Sequence, residues 1–194
     1  MLKPQLSKFD IILASASPRR KQLLEEIGIP FKVQTKNVEE SFPSHLKPDE
    51  VAAYLSTLKA KAFLDDEFNE RTLVITADTI VTLNGKILGK PTGRQNAIQI
   101  LQQLSAKKHR VITGVTMRSK HKQTVFSVTT DVYFKALSID EIEFYVDTFK
   151  PFDKAGAYGI QEWIGHAAIE KIEGSYFNVM GLPTHRLYEE LMVF

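Results

Sequence analysis

The pattern of apolar and polar positions along the chain predicts strands that alternate with helices. Short apolar runs bounded by turn residues indicate buried strands, and apolar residues at helical spacing indicate helices with one buried face. We therefore expect strands at residues 10–15, 31–35, 73–83, 86–88, 109–118, 123–134 and 167–172. The expected helices cover residues 18–27, 48–66 and 93–104, a segment after the capping residue Ser138, and the chain end from Pro183.

The turns between these elements favour a mixed sheet. Asn84 and Gly85 separate two apolar runs and are typical of a hairpin turn, so residues 86–88 should return antiparallel. Two longer strands should pair around the polar residues 119–122. Such hairpins argue against a simple parallel, doubly wound sheet. The predicted fold class is α/β, with a mixed, extended sheet flanked by helices, and 194 residues suit a single domain covering 1–194.

Composition excludes several classes of function. The apolar share of 43% and the charged share of 25% are ordinary for a soluble globular protein. The absence of cysteine excludes disulfides, thiolate metal sites and a cysteine nucleophile, and the five histidines lack the spacing of a zinc motif. A net charge of +2 gives no support to nucleic-acid binding. No apolar run reaches membrane-spanning length, and residues 1–10 lack the apolar centre of a signal peptide, so we expect a cytoplasmic protein.

Two arginines at a predicted helix start are the first candidate site. Ser17 can cap this helix and Pro18 suits its first position, which places Arg19 and Arg20 in the first turn. Cations there oppose the helix dipole at a cost of roughly 0.3–1 kcal/mol each. A strand, a turn of small residues and arginines beside free backbone N–H groups together indicate an anion site, above all for phosphate. The alternative is that both arginines pair with surface carboxylates.

Three further charged residues lie in positions that invite a function. Asp78 interrupts an apolar strand, either as a solvated residue at a kink or as a metal ligand or general base. Lys59 falls within the apolar arc of its helix, so it either extends to the surface or neutralises an anion. Glu40, otherwise an ordinary loop acid, could join Asp78 in holding a magnesium-type ion on a polyphosphate.

Lys90 and Gln161 are weaker candidates when taken alone. Lys90 precedes a proline, which favours an extended backbone, although an exposed lysine is the ordinary interpretation. The amide of Gln161 can donate and accept, which complements uracil or thymine but also guanine or hypoxanthine. Thr79 offers a hydroxyl beside Asp78. The chain contains no GxxxxGK[ST], GxGxxG or GxSxG, so P-loop, dinucleotide-binding and that serine-hydrolase chemistry have no support.

Taken together, these segments resemble the Maf family of nucleoside triphosphate pyrophosphatases, which are related in fold to the inosine triphosphatases. The resemblance covers all but about the first ten residues, which would form an N-terminal extension (1–10). Ser56 stands where the family usually has alanine, and residues 162–165 fall in a stretch that varies within the family and is expected to decide nothing. The matching segments are LASASPRR (13–20), ADT (77–79), GKP (89–91), DKAGAYGIQ (153–161), and GSY (174–176) through GLP (181–183).

The resemblance implies hydrolysis of a nucleotide between its α and β phosphates, with a divalent cation, Mg²⁺ or Mn²⁺, in a central cleft between two lobes. It implies a catalytic base at Asp78 and a metal held by Glu40 and Asp78. The phosphate-contacting positions would be Ser15, Arg19, Arg20, Lys59 and Lys90. Base-specifying positions would be Arg19, Thr79 and Gln161, in the combination of the branch that acts on dTTP and UTP rather than on 7-methyl-GTP.

The resemblance also implies a possible homodimer, a role in removing non-canonical nucleotides and a link to cell-division arrest. Two alternatives to an enzyme remain at this stage. The first is a nucleotide-binding regulator that uses the same pocket without catalysis. The second is nucleic-acid binding through the arginine-bearing groove, against which the small net charge weighs.

Overall fold

The computed structural model describes residues 6–194, and these contain a seven-stranded mixed sheet flanked by helices. Residues 1–5 of the predicted N-terminal extension lie outside the described residues. The strands are β1 (Asp10–Leu13), β2 (Lys32–Val33), β3 (Thr72–Leu83), β4 (Lys86–Leu88), β5 (Lys108–Arg118), β6 (Gln123–Phe134) and β7 (Ile169–Glu173).

The strand pairing confirms the predicted fold class. The strand order is β2-β1-β3-β5-β6-β7, and β4 pairs with β3. Strand β1 is parallel to both β2 and β3, whereas β4 is antiparallel to β3 and β7 is antiparallel to β6. The turn at Asn84 and Gly85 is present as predicted, with both residues at positive φ.

The helices agree with the sequence in place more than in length. The helix predicted over residues 48–66 ends at Lys61, and a 3-10 turn, Asp65–Glu67, follows it. The strand predicted at 31–35 is reduced to two residues, and two short helices, α5 and α6, lie where none was predicted. Across residues 6–194, no helix has both the length and the apolar character needed to cross a bilayer. The helices are α1 (Pro18–Glu26), α2 (Pro48–Lys61), α3 (Arg94–Leu104), α4 (Ile139–Phe149), α5 (Trp163–Ala168), α6 (Tyr176–Met180) and α7 (Thr184–Val193).

The chain divides into two compact units. The first comprises Met1–Asp78, Thr113–Val128 and Gly181–Phe194, and the second comprises Thr79–Ile112 and Thr129–Met180. Strand β3 passes from the first unit into the second between two adjacent residues that were both predicted to be functional. The predicted single domain with a central cleft stays a prediction.

In the first unit, helix α2 is fixed against strands β3 and β5. The buried hydroxyl of Ser56 lies 2.9 Å from Thr116 Oγ1, and the Ser56 carbonyl accepts a hydrogen bond of 2.7 Å from Thr76 Oγ1. A Cβ added to Gly114 would lie 2.3 Å from the backbone carbonyl of Ala52, so helix and strand approach closely only because Gly114 has no side chain. Serine in place of the family's usual alanine is therefore accommodated by hydrogen bonds rather than by exposure.

Candidate functional site

The predicted helix start after the first strand is present and capped. Helix α1 begins at Pro18, and the backbone N–H of Arg20 donates to Ser17 Oγ over 3.5 Å. Ser15, which is buried in the turn before the helix, accepts from the backbone N–H of Ser17 over 3.3 Å. Hydroxyls and backbone N–H groups thus gather at a helix N-terminus, an arrangement that favours an anion.

Arg20 extends from this helix start into the first unit. Its Nε donates to the carbonyl of Gly181 over 2.8 Å, and its Nη1 lies 3.3 Å from Ser15 Oγ. Burial lowers the pKa of Arg20, opposed by the charge of Asp78, whereas Arg19 lowers it further. The guanidinium is thus a desolvated cation, within electrostatic reach of an acid and of a second arginine. Arg19 is partly exposed at the same helix start.

Lys59 joins the two acids that the sequence singled out. Its Nζ lies 2.5 Å from Oδ1 of Asp78 and 2.8 Å from Oε1 of Glu40. The side chains of Lys59 and Asp78 are only 18% and 10% exposed, whereas that of Glu40 is 44% exposed. Of the two interpretations of Lys59, neutralisation of an anion is therefore confirmed, and that anion is a pair of carboxylates within the chain. Asp78 is buried rather than solvated at a kink.

The donor set at this pair suits a hard cation that also contacts a substrate. Among residues 6–194, no group of three or more histidine, aspartate and glutamate side chains could hold a metal by itself. Two carboxylates that share one ammonium do converge on a common point. Mg²⁺ keeps several waters and is bound through one or two carboxylates together with substrate phosphates, so Asp78 and Glu40 fit that mode of binding.

The other three predicted residues belong to the second unit, so their place in a common site with Asp78 stays a prediction. Thr79 follows Asp78 on β3, and Lys90 is exposed after β4. The amide oxygen Oε1 of Gln161 is buried and has no hydrogen-bond partner. A buried acceptor without a donor is costly, so this oxygen is suited to an N–H group on a ligand.

The segment before Gln161 is supported by a buried aromatic contact. Tyr158 Oη lies 2.8 Å from Nε2 of His109, and both side chains are almost fully buried. Burial lowers the pKa of His109 to about 4 and raises that of Tyr158, so both groups are neutral near pH 7. The sequence gave no reason to connect His109 with this segment, because the two lie far apart in the chain and meet only across the sheet.

Sequence reasoning also missed a polar network beside Gln161. Glu162, which had been assigned no role, accepts hydrogen bonds from Tyr145 and forms an ion pair of 3.1 Å with Lys154. Lys154 belongs to the matched segment 153–161, but nothing in its type or spacing indicated its partner. Contacts between α4 and the turn before α5 depend on tertiary packing, which the local pattern does not encode.

The fold and this site together define the class of the protein. A HAM1 protein from Coxiella burnetii has a similar fold, with a TM-score of 0.52 over 96% of this chain and 100% of that chain. The sequence identity is 14%, so the likeness concerns the α/β fold alone. The sequence profile described as Maf-like protein matches residues 10–194. The chain therefore belongs to the Maf family.

Relatives in the family are similar over nearly their full length. A protein of Christiangramia forsetii named dTTP/UTP pyrophosphatase is 50% identical over 191 residues, which cover 98% of this chain and 97% of that protein. A protein of Bacteroides fragilis with the same name is 50% identical over 187 residues, 96% of each chain.

Proposed function

We propose that this protein is a nucleoside triphosphate pyrophosphatase that hydrolyses dTTP and UTP to the monophosphate and pyrophosphate. The observation that carries the proposal is the ion pair of Lys59 with Asp78 and Glu40, electrostatically coupled to buried Arg20. Relatives of about 50% identity are named for this activity, and the same name extends to this chain as a proposal.

The triphosphate tail is bound by the cations and the helix start of the first unit. Arg20 is desolvated and already aligned by Gly181 and Ser15, so it loses little side-chain entropy when it binds phosphate oxygens. Arg19 adds a second charge at the same helix N-terminus. Lys59 and, from the second unit, Lys90 are proposed to complete the phosphate-binding set. Cations held in place stabilise the charge that develops on departing pyrophosphate.

Asp78 is proposed as the general base. It takes a proton from a water molecule as the water oxygen bonds to the α-phosphorus, and the bond from that phosphorus to the α–β bridging oxygen breaks. The bond electrons leave with pyrophosphate. Burial keeps Asp78 close to its partner Lys59 and away from competing bulk water. A divalent cation bound at Asp78 and Glu40, which we propose to be Mg²⁺ or Mn²⁺, would offset phosphate charge.

Gln161 is proposed to recognise the base, with Arg19 and Thr79 as further specificity positions. The N3–H of uracil or thymine is a donor for the partnerless Oε1, and the neighbouring O4 is an acceptor for Nε2. A guanine edge shows a similar pair, so the dimensions of the base pocket must exclude purines.

The test is a panel of nucleoside triphosphates scored by kcat/KM from pyrophosphate release, with Mg²⁺, with Mn²⁺ and with chelator. We expect dTTP and UTP to be the best substrates and Asp78→Asn to lose about 10²–10⁴-fold in kcat while it still binds dTTP. Asp66→Asn is the matched control, because it makes the same chemical change at an exposed carboxylate. Preference for 7-methyl-GTP would overturn the base assignment. Tight dTTP binding without hydrolysis would identify a regulator instead.

We expect the protein to act on the cytoplasmic nucleotide pool. A homodimer, the absence of nucleic-acid binding, a preference for modified nucleotides and a link to cell division stay predictions.

A further inference from the structure

The turn that carries Gln161 is attached to helix α4 through one buried hydroxyl. Tyr145 is fully buried on α4, and its hydroxyl accepts a hydrogen bond of 3.0 Å from the backbone N–H of Gly159. The same hydroxyl donates to Oε2 of Glu162. Because the two bonds reach residues on either side of Gln161, the backbone around this glutamine is held in one conformation.

Glu162 is fixed from a second direction by a lysine. Nζ of Lys154 lies 3.1 Å from Oε1 of Glu162, and the two side chains are 11% and 18% exposed. Lys154 also pairs with the exposed Asp153 over 2.8 Å. Each carboxylate oxygen of Glu162 thus has its own donor, Tyr145 for one and Lys154 for the other. Hydrogen bonds to a charged acceptor are stronger than neutral ones, so the position of this carboxylate is well defined.

Gly159 places this carboxylate next to the amide of Gln161. A Cβ on Gly159 would lie 3.0 Å from Nε2 of Gln161 and 3.0 Å from Oε1 of Glu162. The amide nitrogen and the carboxylate therefore crowd the same small space. An ionised carboxylate only accepts hydrogen bonds, so it favours the NH₂ end of a neighbouring amide and disfavours the oxygen end. The partnerless Oε1 of Gln161 is consequently directed elsewhere.

We propose that Glu162 is a positioning residue that sets which end of the Gln161 amide meets the base, and thereby selects uracil and thymine over cytosine. This inference rests on the proposed function. Uracil and thymine present O4 as an acceptor and N3–H as a donor, which match Nε2 and Oε1 in the orientation that Glu162 favours. Cytosine presents the reverse pair, an N4 amino donor and an N3 acceptor, and would suit the flipped amide.

The test compares kcat/KM for dTTP and dCTP in the wild type, Glu162→Gln and Tyr145→Phe. Glutamine keeps the shape of Glu162 but can face the amide with either end, so the dTTP/dCTP ratio should fall about tenfold, chiefly through KM. Tyr145→Phe should lower the ratio in the same direction. Glu170→Gln, an exposed carboxylate on β7, is the matched control and should leave the ratio unchanged. A merely structural role would lower both activities together and leave their ratio intact.

A second measurement is independent of turnover. The backbone N–H of Gly159 should exchange with deuterium faster in Tyr145→Phe than in the wild type, because it loses its acceptor. An unchanged dTTP/dCTP ratio in Glu162→Gln, with hydrolysis of dTTP intact, would overturn the role of Glu162 while the proposed function stands. A wild type that hydrolyses neither nucleotide would overturn the proposed function itself, and unchanged exchange at Gly159 would overturn the hydrogen bond to Tyr145.

Discussion

Nζ of Lys59 and Oδ1 of Asp78 lie 2.5 Å apart, and this ion pair joins helix α2 to strand β3. The two residues are separated by 19 positions in the chain. Both side chains are largely buried, so each charge depends on the other for compensation, and Lys59 also contacts Glu40 over 2.8 Å. The pair therefore serves the stability of the first unit as well as its chemistry.

Lys59→Met should lower the free energy of unfolding by about 1–3 kcal/mol, because Asp78 stays buried without its cation. Pyrophosphate release from dTTP should also be lost. The measurement is urea unfolding near pH 7 together with turnover. Lys61→Met is the matched control, since Lys61 is exposed on the same helix and should change stability by less than about 0.5 kcal/mol. Equal stability of the two variants would show that the ion pair contributes nothing net.

Gly114→Ala should destabilise the first unit by about 1–3 kcal/mol, because its Cβ would lie 2.3 Å from the backbone of Ala52. Since neither backbone can give way locally, α2 must shift, and Lys59 should move away from Asp78 with it. Thermal unfolding measures the first effect, and kcat for dTTP the second. Gly89→Ala is the control for stability alone, because a Cβ there meets nothing within 4 Å. A Gly114→Ala variant as stable as Gly89→Ala would contradict this close packing.

His109 should make the protein less stable in mild acid. Burial lowers its pKa to about 4, whereas the unfolded chain has the ordinary value near 6.5. The unfolded state therefore binds the proton first as pH falls, so stability that is complete above about pH 6.5 is lost progressively towards pH 4. The loss from this group should reach about 2 kcal/mol by pH 5.

The check is the free energy of unfolding of wild type and His109→Gln at pH 7.5 and pH 5. Glutamine can still hydrogen-bond Tyr158 but does not titrate, so its pH dependence should be smaller by the amount that His109 contributes. An identical pH dependence in the two proteins would assign the acid lability to other groups, such as the carboxylates.

Local sequence signals located the elements that carry the candidate site. The cap at Ser17, the start of α1 at Pro18 and the hairpin at residues 84–85 all follow from short-range chemistry, and all are present. The end of α2 was placed five residues too late, because apolar residues beyond Lys61 suggested a longer helix. Their side chains instead belong to a separate buried cluster that includes Phe63 and Phe68, with Val74 from β3.

The chemistry-bearing residues were identified individually, but their contacts were not. An apolar strand broken by Asp78 and an apolar helix face broken by Lys59 are visible in the sequence because burial of a charge is costly. That these two charges compensate each other is visible only in the structure. The same holds for Glu162, whose partner Tyr145 lies on another helix and carries no polar signature in the pattern around it.

The sequence alone determined the α/β class, the family and the residue types available for phosphate and metal binding, because periodicity and motif spacing are local properties of the chain. Tertiary structure decided that Lys59 pairs with two acids and that the Gln161 turn is fixed by Tyr145 and Glu162. These are contacts between side chains distant in sequence, and their geometry depends on how helices pack on the sheet. Packing sums many weak interactions over the whole chain, so no short pattern encodes it.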